Sequence, residues 1–132
     1  MTVSSAAQLL SRTLYYKRFF PYYVGALVAG IDEEGHGAVY GYDPIGTIEL
    51  VPFASQGAGS PLIEPFFDNQ ISWRNQPLET KAPLTKEKAQ QIMCDAFRAV
   101  AERETSTGDS IHLVVIQQGE KTEESFVKIR ND

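Results

Sequence analysis

Between Ala29 and Gly46 the chain reads AGIDEEGHGAVYGYDPIG, and few backbone paths accommodate it. An apolar run is cut by three successive acids, Asp32, Glu33 and Glu34. Glycines at 35 and 37 bracket His36, an aromatic-rich run follows, and Asp43-Pro44 breaks it. Gly35 and Gly37 are expected to supply the positive φ of a tight reversal. Pro44 fixes φ where the second run has to stop. The stretch predicts a β-hairpin.

The elements around it follow from periodicity. From Ala6 to Tyr16, apolar residues recur at 6, 10, 14 and at 7, 9, 13/16. This is a helical stripe, with Ser4 or Ser5 as its N-cap. Pro21 ends it, and Lys17 and Arg18 fall in its last turn, where positive charge suits the helix dipole. Tyr22 to Ile31 is apolar on both alternating faces, which predicts a strand covered on both sides. Ala38 to Asp43 returns along it, and Thr47 to Phe53 makes a third strand.

Gly57-Ala58-Gly59-Ser60-Pro61 opens a helix to about Ile71, with Ser60 as N-cap, Pro61 first inside, and Pro65 bending it. Residues 73–84 read as a surface connection. Thr85 caps the next helix, which runs to about Glu104. Its core face is expected to carry Ala89, Ile92, Met93, Ala96, Phe97, Val100 and Ala101. Ile111 to Ile116 is a second strand apolar on both faces. Gln118-Gly119 turns it into Thr122 to Ile129, with Phe126 and Lys128 on one side. Helix, three strands, two helices and two strands, with no repeats or low-complexity linker, predict an α+β fold with helices packed outside sheets.

Bulk properties exclude several functions. Twelve Lys and Arg against 17 Asp and Glu give a formal charge of −5, and no basic cluster offsets it, so nucleic-acid binding is not expected. No apolar run approaches the ~20 residues that span a bilayer, and Met1 to Ala7 has no signal-peptide pattern. Cys94 is the only cysteine; an internal disulfide is ruled out, and it is expected as a small buried hydrophobe on the long helix. At 132 residues, one domain spanning 1–132 is expected.

The hairpin together with the preceding YKRFFPYYV resembles the β subunits of the 20S proteasome, most of all the non-catalytic subunit at the sixth β position of the eukaryotic ring. The resemblance covers nearly all of the chain. It implies the four-layer αββα sandwich of N-terminal-nucleophile hydrolases, whose second part has this element order. The strand pair, further sheet and most of a first helix pair that precede Ala6 in the family are expected to be missing from this sequence.

In that family the catalytic threonine uses its own α-amine as base. Thr2 does not match it, lying just before a helix that the family places far downstream, and no glycine-bearing first strand follows. Thr2 is expected to be a frayed start. The serine of the family's Gly-Ser-Gly-Ser turn falls on Ala58. The aspartate of its Arg-Asp-x-x-Ser-Gly turn falls on Glu104, and the partner serine on Thr107. A lost hydroxyl, a lengthened carboxylate and an absent nucleophile imply a chain with no catalytic residue.

Two other readings compete: an active threonine peptidase, and a free-standing small-molecule binding domain. No cofactor is expected to be required. The resemblance does imply a structural Mg²⁺ or Ca²⁺ on main-chain oxygens of Ala101, Glu104 and Thr107, which are suitably hard ligands. It implies other 20S α and β subunits as partners: the fifth and seventh β positions as ring neighbours, and β subunits across the ring–ring junction. Neither nucleic acid nor membrane is expected, and the location implied is cytoplasm and nucleus.

The remaining candidates read as structural. The Gly57–Ser60 turn lacks the Lys-Ser/Thr of a phosphate loop. His36 beside Glu33 and Glu34 reads as a solvated tip. His112, in an apolar strand, reads as a core histidine.

Overall fold

A computed structural model of the chain describes residues 1–130. In order it contains α1 (Val3–Tyr16), β1 (Leu27–Ile31), β2 (Gly37–Tyr42), β3 (Ile48–Val51), α2 (Ser60–Gln70), a 3₁₀ turn (Leu78–Thr80), α3 (Lys86–Ala101), β4 (Ser110–Val115) and β5 (Glu123–Lys128). These fall into two compact units, residues 1–56 with 116–122, and residues 57–115 with the chain from Glu123 onward.

In the first unit β1, β2 and β3 form an antiparallel sheet in that order, with Leu27 opposite Gly41 and Ile31 opposite Gly37. Helix α1 packs on it. Ala7 and Leu14, two turns apart on one helix face, are buried with Tyr42 of β2, and Leu10, Val28, Tyr40 and Ile48 close around them. The Tyr42 hydroxyl donates to the Ala7 carbonyl at 2.5 Å, tying helix to sheet. Burial, and secondarily Tyr40, push the Tyr42 phenol above its ordinary pKa. A raised phenol pKa makes its share of stability complete below the usual phenol range and lost as pH rises through the shifted value. Tyr42→Phe is therefore expected to cost about 1 kcal/mol at neutral pH and to flatten the alkaline limb of the stability profile. Thermal melts between neutral and strongly alkaline pH check both effects.

Both reversals of this sheet are built by an aspartate. Asp32 Oδ1 accepts from the backbone N–H of Glu34 (2.9 Å) and His36 (2.8 Å), and Gly35 takes φ +88°. Asp43 Oδ1 accepts from Ile45 N–H (3.1 Å) and Thr47 N–H (2.8 Å), and Gly46 takes φ +92°. Hydrogen bonding, first from the Thr47 side chain and then from the backbone of Thr47, Ile45 and Gly46, holds the Asp43 carboxyl below its usual pKa against the opposing effect of burial. Positive φ was expected at Gly37 as well, but that residue is the first of β2, paired with Ile31. Only Gly35 makes the reversal.

Several boundaries in this unit differ from expectation. Helix α1 ends at Tyr16, well before Pro21, so Lys17 is its C-cap and Arg18 lies beyond it rather than in its last turn. Thr2, rather than Ser4 or Ser5, caps α1, accepting from Ser5 N–H; both serines lie inside the helix. Strand β1 begins at Leu27, not Tyr22, because β2 supplies no partner beyond Gly41, and Tyr23 adopts a left-handed φ of +57° that breaks the extended run. Strand β3 stops at Val51, opposite Val39, short of the expected Phe53.

In the second unit α2 packs on α3, and α3 on β4. Ile63 and Phe67 of α2 are buried, as are Ile92, Ala96 and Val100 of α3 and Ile111 of β4. The α3 residues recur every fourth position, and Thr85 caps the helix by accepting from Lys88 N–H at 3.2 Å. Phe97 lies off that stripe and is 37% exposed; five residues from Ile92, it points well away from the covered face. Cys94 is half-buried.

Helix α2 is capped by Gly59 with Ser60 and Pro61 inside it, one residue earlier than expected, and the Ser60 hydroxyl donates to Glu64 Oε1 at 3.2 Å. Strands β4 and β5 pair antiparallel, His112 opposite Phe126. The double burial expected of β4 is not found. Ile111 is buried, whereas His112 is exposed, stacked on Phe126 with ring centroids 4.5 Å apart, its Nε2 2.7 Å from Glu124 Oε1. His112 is a surface residue, not a core histidine.

Candidate functional site

Two turns of the second unit hold the residues singled out from the sequence. The first, residues 57–60, leads into α2: Gly57 takes φ +109°, Ser60 N–H donates to Gly57 O at 3.1 Å, and Ile63 N–H to Gly59 O at 3.2 Å. The second, residues 101–108, ends α3. There Arg103 and Glu104 N–H both donate to Val100 O (3.0 and 2.8 Å), and Thr107 N–H donates to Glu104 O at 3.2 Å.

The structure brings these turns side by side. A Cβ on Gly59 would stand 2.5 Å from Val100 Cγ1 and 3.7 Å from Thr107 Oγ1, so only glycine allows the approach. Nothing in the local pattern of either turn signals this neighbourhood, since it depends on how α2 and α3 pack.

The chemistry offered is limited. Ala58 is exposed and presents a methyl group. Glu104 Oε1 accepts from Ser106 Oγ (2.7 Å) and Ser106 N–H (3.2 Å). These bonds, the side-chain one foremost, hold the Glu104 carboxyl below its ordinary pKa. It therefore supports the turn when ionised, and that support is lost as pH falls through the lowered value. The carboxylate is committed to its own loop. Thr2 lies in the other unit and is a working cap, not a frayed end: its hydroxyl accepts from Ser5 N–H at 3.0 Å and is 2.8 Å from Ser5 Oγ.

Ala101, Glu104 and Thr107 are each half-buried, unlike the exposed residues between them. Ala101 and Thr107 line a cleft of about 510 Å³ with Asp109, Ser110, Lys128 and Arg130. Main-chain carbonyls here are neutral hard donors, and that of Glu104 keeps a second lone pair beside its bond to Thr107. They fit Mg²⁺ or Ca²⁺ by donor type. Among the described residues no group of three or more His, Cys, Asp or Glu could hold a metal. His36 sits at the exposed hairpin tip, 3.7 Å from Glu34 and 3.9 Å from Asp32.

The model of the proteasome subunit family matches residues 1–116. The chain belongs to the proteasome subunit family. It is similar to proteasome subunit beta type-1 of Caenorhabditis elegans, 50% identical over 133 residues that cover all of this chain and 52% of that protein. The beta type-1 subunit of Danio rerio is 41% identical, covering all of this chain and 55% of its own length. That of Drosophila melanogaster is 47% identical over 88% of this chain and 50% of its own. The chain thus spans about half the length of these relatives. Its α+β elements are those of the proteasome family's N-terminal-nucleophile hydrolase fold.

Proposed function

We propose that this chain is a non-catalytic structural β subunit of the 20S proteasome core particle, at the sixth β position, building the ring and chamber of the complex that degrades proteins. Its likeness to beta type-1 subunits supports the β assignment. The observation that carries the non-catalytic role is Ala58. At the position where the family has a serine hydroxyl, this turn offers only the exposed methyl group of Ala58, next to the Gly59 that approaches Thr107. Glu104, one methylene longer than the family's aspartate, is drawn to Ser106, and catalytic geometry tolerates little displacement. Neighbours at the fifth and seventh β positions, α subunits, β subunits across the ring–ring junction, and residence in cytoplasm and nucleus complete the reading.

A threonine-directed covalent inhibitor applied to the assembled particle is expected to modify other β subunits and leave this chain unmodified. Peptide mass spectrometry showing an adduct on Thr2 would establish the active-peptidase reading instead.

A structural Mg²⁺ or Ca²⁺ on the main-chain oxygens of Ala101, Glu104 and Thr107 belongs to the same proposal. The ion would pin the turn after α3 and supply no chemistry. Chelation is expected to speed amide exchange across residues 101–108 and leave residues 32–36 unchanged. Equal exchange with and without chelator would remove the ion from the account.

A further inference from the structure

Large aromatics stand exposed from the last turn of α1 along the chain that leads to β1. Tyr16, Phe19, Phe20 and Tyr23 are each more than four-fifths exposed. Isolated exposed apolar residues are ordinary, but a concentration of large aromatics marks an interaction site. Tyr, Phe and Arg are also the residues that interfaces favour.

The charge of the stretch is one-sided. None of the 17 acidic residues precedes Asp32, while Arg12, Lys17 and Arg18 do. The two cations inside the aromatic stretch are held in place by its rings. Lys17 Nζ lies 5.5 Å from the Tyr22 centroid, and the Arg18 guanidinium 4.6 Å from that of Phe19 and 5.2 Å from that of Tyr15. Arg18 Nη1 also donates to the Tyr15 hydroxyl at 2.6 Å. Cations fixed this way lose less rotamer freedom when they meet a carboxylate. Tyr23 keeps a left-handed backbone while its ring stands in solvent; such a conformation in a bulky residue is rare and clusters at ligand clamps.

We propose that residues 15–24 form a docking surface for an acidic segment of another protein subunit, with its carboxylates on Lys17 and Arg18 and its apolar side chains among Phe19, Phe20 and Tyr23. This rests on the assembly proposed above only for the partner's being a proteasome subunit. Charge complementarity selects an acidic polypeptide. Nucleic acid is disfavoured because three cations on a chain of net charge −5 neutralise too few phosphates to hold it.

The test places a photo-crosslinking benzoylphenylalanine at Phe20, which is 83% exposed, in tagged chain recovered from cells in its assembled state. The expected crosslink is to a peptide of another subunit bearing at least two Asp or Glu within a few residues of the attachment point. The paired reversal Lys17→Glu with Arg18→Glu is expected to weaken that association about tenfold or more, because like charges then face each other. Reversing the crosslinked acids to lysine is expected to restore it, an outcome that misfolding of the first variant could not give.

A crosslink to a second copy of this chain, to nucleic acid or lipid, or to a peptide without acids overturns the proposal, as does no crosslink. Recovery of an acidic crosslinked partner that is not a proteasome subunit would uphold the surface and refute the assembly reading.

Discussion

Gly46→Ala is expected to be among the most damaging single-methyl additions in the first unit. Two independent costs combine there. The residue holds φ +92°, and a non-glycine residue forced into such a region pays about 1–3 kcal/mol. The new Cβ would also fall on the Ser11 carbonyl, with Leu14 Cβ and Tyr15 N–H 3.1 Å away. That contact sets a Cβ, whose place the backbone fixes, against a backbone oxygen, and no rotamer change relieves it. The Ser11 hydroxyl donates to Gly46 O at 2.6 Å, so α1 cannot retreat without losing this bond and disturbing the Ala7–Leu14–Tyr42 core.

Two control substitutions separate the costs. Gly57 has φ +109° with nothing near its Cβ position, so Gly57→Ala carries the backbone cost alone; Gly41 has neither problem. Proteolysis across a temperature series is expected to rank Gly46→Ala well below Gly57→Ala, and Gly41→Ala near the unaltered chain. At roughly 4–8 °C per kcal/mol for a unit of this size, the steps are resolvable. Equal midpoints for Gly46→Ala and Gly57→Ala would mean that α1 does not press on this turn.

What could be read in the sequence was what sequence neighbours decide. Asp32 with Gly35, and Asp43 with Pro44 and Gly46, build their turns from bonds that span four residues at most, so the reversals are encoded locally. The Thr85 cap and the Ile92–Ala96–Val100 stripe belong to the same class. Strand length is different, because it depends on how far a partner continues. Tyr22–Ala26 has strand-like composition, but β2 ends at Tyr42 and offers it no ladder.

Burial of a doubly apolar strand likewise depends on how many layers reach it, which is why His112 was misplaced. Phe97 failed for a geometric reason, being apolar but off the stripe. At the candidate site, the positions Ala58, Glu104 and Thr107 came from family resemblance. Their neighbourhood comes from the packing of α2 on α3, visible at Gly59 against Val100 and Thr107 and in no local motif. The exposed aromatic stretch of residues 15–24 was legible as residues but not as surface.

Phe67→Ala is the expected counterpart in the second unit, and it reverses an emphasis drawn from periodicity alone. Phe67 is 2% exposed and Phe97 is 37% exposed, although both sit on helices beside other apolar residues. Removing a buried phenylalanine side chain costs about 3–5 kcal/mol through lost transfer and the cavity left behind. Removing one that already meets solvent leaves no closed cavity and forfeits only part of the transfer term. The two substitutions should therefore separate clearly in the chain on its own, with Phe97→Ala the milder.

The consequence extends to the site. Helix α2 starts at the 57–60 turn and α3 ends at the 101–108 turn, and the approach of Gly59 to Thr107 exists only while the helices stay packed. Phe67→Ala is thus expected to raise amide exchange in both turns together, although Phe67 belongs to neither. Phe97→Ala should leave both protected. If the two variants destabilise the chain equally, or if Phe67→Ala loosens one turn and not the other, then the helix pair does not position the site and the two turns are held independently.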